Sequence, residues 1–139
     1  MYGNELHIKF SMDDGREFNV RRGKIDADIG YESHGMFVMK MKYDWGVYTF
    51  GSFNLDTCLD YNVESKDRVY VSQPYTLELI KAMLEVCNVD YFGSLKNHEM
   101  YILFAGERNM PVGLVNIKDI QKSLIFEDII TPLARTPKV

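Results

Sequence analysis

The sequence has little of what marks whole classes of protein. Only two of its 139 residues are cysteines, Cys58 and Cys87, which is too few for a disulfide framework. No apolar run approaches the roughly 20 residues of a membrane-spanning helix, and the start, MYGNELHIKF, lacks the basic and apolar regions of a signal peptide. We therefore expect a cytoplasmic protein with two free thiols and no membrane association.

An excess of charge of one sign is also absent. The 20 acidic and 16 basic residues leave a formal net charge of −4, and no block of like charges reaches five residues. A protein that neutralises the phosphates of nucleic acid carries a basic patch or stripe, whereas a DNA mimic needs dense, repeated carboxylates. The charge pattern argues against both, so we predict no nucleic-acid partner.

Motifs for catalysis are missing as well. The histidines at 7, 34 and 98 belong to no metal-binding motif, and the chain contains neither a Gly-x-Ser-x-Gly elbow nor a phosphate-binding loop. Asp26 and Asp28 share one face of a predicted strand, but no further oxygen ligand for a hard cation lies near them in the sequence, which favours a solvated strand face. We predict a binding protein rather than an enzyme, with no catalytic residue, metal or cofactor.

What is present is the composition of one globular domain spanning 1–139, with 46% hydrophobic and 26% charged residues. Residues 5–12 and 16–20 flank Asp13-Asp14-Gly15, which predicts a β-hairpin. Arg21 to Lys24 then reads as a turn. Alternating segments at 24–29, 36–43 and 47–55 complete a predicted antiparallel meander of about five strands, in which Gly51 marks a bulge or a close backbone approach.

The second half of the chain predicts helix as well as strand. Residues 57–73 have weak periodicity and are expected to be a flexible insertion. Pro74 to Asn88 predicts an amphipathic helix with Ser72 as its cap, and its buried face is predicted from the spacing of Leu77, Ile80, Leu84 and Cys87. Met100–Phe104 and Val112–Ile117 predict a hairpin, residues 118–130 stay open between helix and strand, and 132–139 reads as a frayed tail.

The predicted fold class is therefore α+β. It consists of an antiparallel β-meander, one amphipathic helix, and a C-terminal β-hairpin followed by a short terminal helix.

Candidate binding residues are aromatic and polar. An aromatic ring stacks on a base, an arginine pairs with phosphate oxygens, and a carboxamide reads a base edge. On these grounds the predicted ligand-binding residues are Tyr48, Phe50, Phe53, Arg108, Asn116 and His34. Two plainer interpretations stay open: the aromatic residues form a core face of the sheet, and His34, which lies in a turn, is an ordinary surface residue.

Several short motifs resemble a widespread group of small phage-encoded proteins. They are Gly30-Tyr31-x-x-His34-Gly35, then Asp44-x-Gly46 leading to Phe50-Gly51-Ser52-Phe53-x-Leu55-Asp56, then Tyr75-x-Leu77-Glu78-x-Ile80 through Leu84-Glu85-Val86 to Val89. The group usually has Phe-Gly-Gly-Tyr as its middle motif, so Ser52 and Phe53 are departures from it. The Trp-rich ending of the group is absent.

This group is similar to the first class of Thoeris anti-defence proteins. Those proteins are phage sponges that bind cyclic ADP-ribose-type signals, and in some members other cyclic nucleotides, without cleaving them. Their ligands lie in pockets at subunit interfaces, so the resemblance implies a homo-oligomer (a dimer or larger) that sequesters a small cyclic nucleotide in the host cytoplasm.

Two other functions stay open. A phage inhibitor that binds a host defence protein directly would use an exposed apolar patch with aromatic hot spots. An enzyme would require His34 and an aspartate to be brought together by the fold.

Overall fold

The predicted α+β fold class is confirmed by a computed structural model, which describes residues 9–32, 36–106 and 110–135. Every strand pair is antiparallel. The elements, in chain order, are β1 (Lys9–Ser11), β2 (Glu17–Tyr31), β3 (Phe37–Asp44), β4 (Tyr48–Asn54), β5 (Asp56–Cys58), β6 (Tyr70–Ser72), α1 (Thr76–Cys87), β7 (His98–Phe104), β8 (Pro111–Val115), β9 (Ser123–Ile125) and α2 (Phe126–Leu133). The main sheet has the order β4-β3-β2-β7-β8-β9, with β1 also paired to β2, and β5 and β6 form a separate pair.

Strand β2 organises the sheet because it pairs along both edges. One edge pairs with β7 over Asn19–Ile25, and the other pairs with β1 and then with β3. The turn predicted at Arg21 to Lys24 is wrong, since these residues lie within β2. The described part of residues 5–55 therefore has four strands rather than about five. The glycine there serves a different purpose: a Cβ on Gly23 would lie 2.5 Å from the backbone oxygen of Asp44. Gly23 therefore permits a close approach of two backbones.

Strands β3 and β4 form a regular hairpin in which Met41 is opposite Gly51 and Lys42 is opposite Phe50. The special role predicted for Gly51 is wrong. The pairing of β4 with β3 continues through Gly51 without a bulge. The nearest heavy atom that an added Cβ would meet is Tyr43 Cε2 at 3.8 Å, which is an ordinary van der Waals contact. A Cβ atom is therefore accommodated at this position.

The insertion predicted at 57–73 has more structure than its sequence pattern indicates. It contains most of β5, all of β6 and a 3-10 turn at Ser65–Asp67. Thr57, Cys58 and Gln73 are buried. Gln73 also donates to the backbone oxygen of Arg135 and accepts from its backbone N–H, so the segment connects to the C-terminal end of the described chain.

Helix α1 confirms the predicted helix, and Asn88 ends it in the left-handed conformation with φ of 55°. The predicted cap is wrong because Ser72 belongs to β6. The predicted face is also wrong in part: Leu79, Met83, Val86 and Cys87 are buried, whereas Leu77 is 59% exposed. None of the helices in the described residues is long and apolar enough to cross a bilayer.

The C-terminal region confirms the hairpin of β7 and β8. Residues 118–130, whose type the sequence left open, contain strand β9 and the start of α2. Helix α2 continues to Leu133 with Pro132 inside it. The first two residues of the predicted frayed tail, 132 and 133, therefore belong to this helix. Residues 136–139 lie outside the described part of the chain.

The core lies mainly on one face of the sheet. Side chains of β3, β7 and α1 pack there around Met41, Met83 and Ile102, all almost fully buried. On the opposite face, a smaller cluster around Phe18, Leu103 and Val115 covers the part of the sheet near β1 and β8. The rest of this second face, over β2, β3 and β4, has mainly exposed polar and aromatic side chains.

Candidate functional site

A depression lies on the sheet face turned away from α1. It is open, has a volume of about 770 Å³ and runs across β2, β3 and β4. We call it the outer-face depression and define it by six side chains, Asp26, Asp28, Lys40, Lys42, Phe50 and Ser52.

Strand register explains why these six side chains lie together. Alternate residues of a strand share a face, and the pairing of β2 with β3 and of β3 with β4 aligns them in rows across the sheet. One row is Asp26, Lys42 and Phe50, and the next is Asp28, Lys40 and Ser52. The depression therefore has a carboxylate stripe on β2, an ammonium stripe on β3, and an aromatic and hydroxyl stripe on β4.

Three of the four charged side chains that define the depression have contacts nearby. The Nζ of Lys40 lies 3.0 Å from Oε1 of Glu32, and the Nζ of Lys42 lies 4.7 Å from the centre of the Tyr48 ring. The carboxylate of Asp28 accepts the backbone N–H of Ile29 at 2.9 Å. These contacts orient both lysines and one carboxylate before any ligand binds.

Two of the predicted ligand-binding residues, Phe50 and Tyr48, lie on this face of β4. Phe50 is 70% exposed and Tyr48 is 61% exposed. The interpretation that these two rings form part of the core is therefore wrong, because both rings are accessible to solvent. Phe50 lines the depression, and Tyr48 lies at the next position on the same face.

Phe53 and Asn116, which were also predicted to bind ligand, do not lie on this face with Phe50 and Tyr48. Phe53 points to the opposite face, where its ring centre is 4.9 Å from that of Phe126. Asn116 is buried; its amide donates to the backbone oxygen of Val86 at 2.9 Å, and its side-chain oxygen accepts the backbone N–H groups of Lys118 and Asp119. Those bonds connect the loop after β8 to the last turn of α1.

The other two predicted residues, His34 and Arg108, lie outside the described residues. In the sequence, His34 falls between β2 and β3, and Arg108 falls between β7 and β8.

The lysines of the depression were missed as ligand-binding candidates by the sequence reasoning, although the signal was present. Period-two alternation places Lys40 and Lys42 on the face opposite Met39 and Met41. The missing step was the register across the β3–β4 turn, which aligns Lys42 with Phe50. A short hairpin turn fixes such a register, so the pair was predictable in principle.

A second, smaller cavity of about 510 Å³ lies between β2, β7 and the end of α1. Four of its polar side chains form two contacting pairs. Arg22 contacts Glu99 at 2.7 Å and holds the pKa of that carboxyl below its usual value, and the Nζ of Lys122 contacts Oδ1 of Asn88 at 3.1 Å. The outer-face depression, where an aromatic ring is exposed beside lysines, is the stronger candidate.

The described residues contain no group of three or more histidine, cysteine or acidic side chains arranged to hold a metal ion. Both cysteines are free and buried.

We expect the thiol of Cys87 to be unreactive in the native protein. Burial raises its pKa to about 12 from an ordinary value of 9.0, and the thiolate is the reactive form. Because the unfolded thiol ionises first, the contribution of this group to stability is present below about pH 9 and is lost as the pH rises toward 12. Thiol titration at pH 8, before and after denaturation in urea, checks this. Equal rates for native and unfolded protein would contradict it.

No family model, no curated protein and no solved structure matches the chain.

Proposed function

We propose that this chain is a phage anti-defence protein that binds and sequesters a cyclic nucleotide immune signal, of the cyclic ADP-ribose type, without cleaving it. The outer-face depression is the proposed binding site. The observation that carries the proposal is the exposed ring of Phe50 beside Lys42 and Lys40, within a depression large enough for a small ligand.

The three stripes of the depression match the three parts of a nucleotide. The exposed ring of Phe50 offers a stacking surface for a base, and the ammonium groups of Lys40 and Lys42 attract phosphate oxygens. Carboxylates accept hydrogen bonds from ribose hydroxyls, and Asp26 and Asp28 line the adjacent strand. A ligand that offers only anionic oxygens would meet repulsion from these two carboxylates, so the site favours a nucleotide over a simple oxyanion such as sulfate.

Sequestration requires tight binding rather than turnover. A protein that binds a signalling molecule and leaves it unchanged lowers its free concentration by mass action. The side chains that define the depression are carboxylates, ammonium groups, one hydroxyl and one aromatic ring, and none is the histidine or cysteine on which general-base or thiol catalysis most often relies. This composition supports retention of the ligand in intact form.

We expect Phe50→Ala to weaken binding of the cyclic ADP-ribose isomer that binds best by roughly 5- to 150-fold, because stacking of a base on an aromatic ring contributes about 1–3 kcal/mol. Isothermal titration calorimetry against a panel of cyclic ADP-ribose isomers and cyclic di- and trinucleotides measures this. Tyr91→Ala is the matched control, because this ring is 77% exposed but lies outside the depression, and it should leave affinity unchanged.

Heat denaturation of the complex followed by chromatography then distinguishes a binder from an enzyme. Recovery of unchanged ligand supports sequestration, and recovery of a linear product would show cleavage. If no compound of the panel binds, the proposal fails for these ligands.

One observation favours a second function, direct inhibition of a host defence protein. The far end of the β2–β3 hairpin extends beyond β7, and its α1-side face exposes Ile29, Tyr31 and Phe37. The rings of Tyr31 and Phe37 pack edge to face with centres 4.6 Å apart. Exposed aromatic groups of this kind are typical of protein interfaces. Loss of a captured host protein on Tyr31→Ser, with Phe50→Ala as the control, would favour this function.

A further inference from the structure

Most of the outer edge of β4 lacks the features that usually protect an edge strand. Among the described residues no strand pairs with it, and its sequence, Tyr-Thr-Phe-Gly-Ser-Phe-Asn, contains no charge and no proline. Native proteins block such edges with charged side chains, proline, bulges or short strands. Strand β4 is seven residues long and regularly paired with β3. The backbone oxygen of Asn54, at one end of the strand, accepts a hydrogen bond from the hydroxyl of Tyr75, and the remaining backbone groups of the outer edge form a template for another strand.

The edge strand at the opposite end of the sheet, β9, is better protected against pairing. Strand β9 has only three residues and continues directly into α2, whose residue Phe126 is buried in the main core. A short edge strand is one of the protective features. Of the two ends of the described sheet, the β4 end is therefore the one suited to pairing with another chain.

We propose that β4 pairs antiparallel with β4 of a second copy of this chain, about a two-fold axis that passes through Gly51. The two main sheets would then form one continuous sheet across the axis. This interface is inferred from the outer edge of β4 alone. It can therefore be tested independently of the nucleotide binding proposed above.

The sequence of β4 is self-complementary about this axis. Gly51 is the central residue of the seven, so this register pairs every residue of the strand. Phe50 then lies opposite the partner's Ser52, and Tyr48 lies opposite the partner's Asn54. Each exposed ring faces a small or polar side chain, whereas a register shifted by two residues toward either end leaves part of the strand unpaired.

Pairing would also extend the outer-face depression. The row of Asp26, Lys42 and Phe50 continues into the partner's Ser52, Lys40 and Asp28 on the same face. Neighbouring strands are about 4.8 Å apart, so Lys42 and the partner's Lys40 are separated by roughly 14 Å. The second copy therefore adds lysines and an aromatic ring next to the β4 side of the depression.

Disulfide cross-linking of Gly51→Cys tests the interface and its register together. The two position-51 Cα atoms lie directly opposite each other, about 4.5–5.5 Å apart, which is within the range for a disulfide bond. A Cβ at Gly51 meets nothing closer than Tyr43 Cε2 at 3.8 Å, so the variant should fold. We expect a covalent dimer under mild oxidation, seen on a non-reducing gel.

Asn54→Cys is the matched control on the same strand. Asn54 is exposed, but in the proposed register its two copies are roughly 20 Å apart along the strands, so no cross-link should form. Efficient cross-linking of Asn54→Cys, or none of Gly51→Cys, would overturn the register.

Sedimentation velocity over a concentration series tests the association without cysteine. We expect the unmodified protein to dimerise with increasing concentration and Ser52→Lys to remain monomeric, because lysine on an edge strand opposes pairing. Ser94→Lys, a change at another exposed position, should dimerise as the unmodified protein does. A monomer throughout the series would overturn the proposal. Dimerisation without nucleotide binding would leave this interface supported while the proposed function fails.

Discussion

A single methyl group at Gly113 is expected to destabilise the protein by about 3 kcal/mol or more, the upper part of the range for overpacking. A Cβ there would lie 2.3 Å from the backbone oxygen of Leu124 and 2.9 Å from Cδ1 of Ile125. The first contact is with backbone and cannot be relieved by rotating a side chain, so β8 and β9 would have to separate. Urea unfolding of Gly113→Ala, followed by circular dichroism, measures the loss of free energy of unfolding.

Gly51→Ala is the matched control for that change. It also lies within a strand of the same sheet, yet an added Cβ has only an ordinary contact at 3.8 Å. We expect its free energy of unfolding to change by less than about 1 kcal/mol. Similar urea midpoints for Gly113→Ala and Gly51→Ala would show that β8 and β9 are not as close as the structure places them.

Truncation of Met83 to alanine should lower the free energy of unfolding by about 2–5 kcal/mol, the range for removing a buried methionine or leucine side chain. Met83 is fully buried on the inner face of α1, together with Leu79 and Val86. Thermal or urea unfolding of Met83→Ala checks the value.

The control for this change lies on the same helix. Leu77 is 59% exposed, so Leu77→Ala should change the free energy of unfolding by no more than about 0.5 kcal/mol. If Leu77→Ala is the more destabilising of the two, the helix is rotated toward the face that the sequence pattern predicted.

This helix illustrates which information the sequence carries. Its existence and its end at Asn88 follow from local signals and were predicted correctly. Its face was not, because two sets of apolar residues have helical spacing, one through Leu77 and Leu84 and the other through Leu79 and Met83. Packing against the sheet decides between them, and that depends on residues distant in the sequence.

Strand β2 is a second element whose structure depends on residues distant in the sequence. Arg21-Arg22-Gly23-Lys24 has the composition of a turn, and local preference alone predicts one. The fold instead uses Gly23 where two backbones approach each other, and neighbouring strands on both sides keep the segment extended. Tertiary pairing thus overrides local composition.

The candidate site was partly predictable. The two-residue period places Tyr48 and Phe50 on one face of β4, and the same period separates Phe53 from them, since it is an odd number of residues away. Asn116 was chosen for its side-chain chemistry, but hydrogen bonds to the backbone occupy it. Whether a carboxamide is already bonded within the protein is a property of the fold.

The double pairing of β2 also affects the order in which the chain folds. Its pairing with β3, and that of β3 with β4, joins residues close in the sequence, whereas its pairing with β7 joins Asn19 to Phe104 across most of the chain. Pairings between distant residues form slowly because a long loop must close first. During synthesis, one edge of β2 therefore stays unpaired until β7 has emerged, and an unpaired strand edge makes a partly folded chain prone to aggregate.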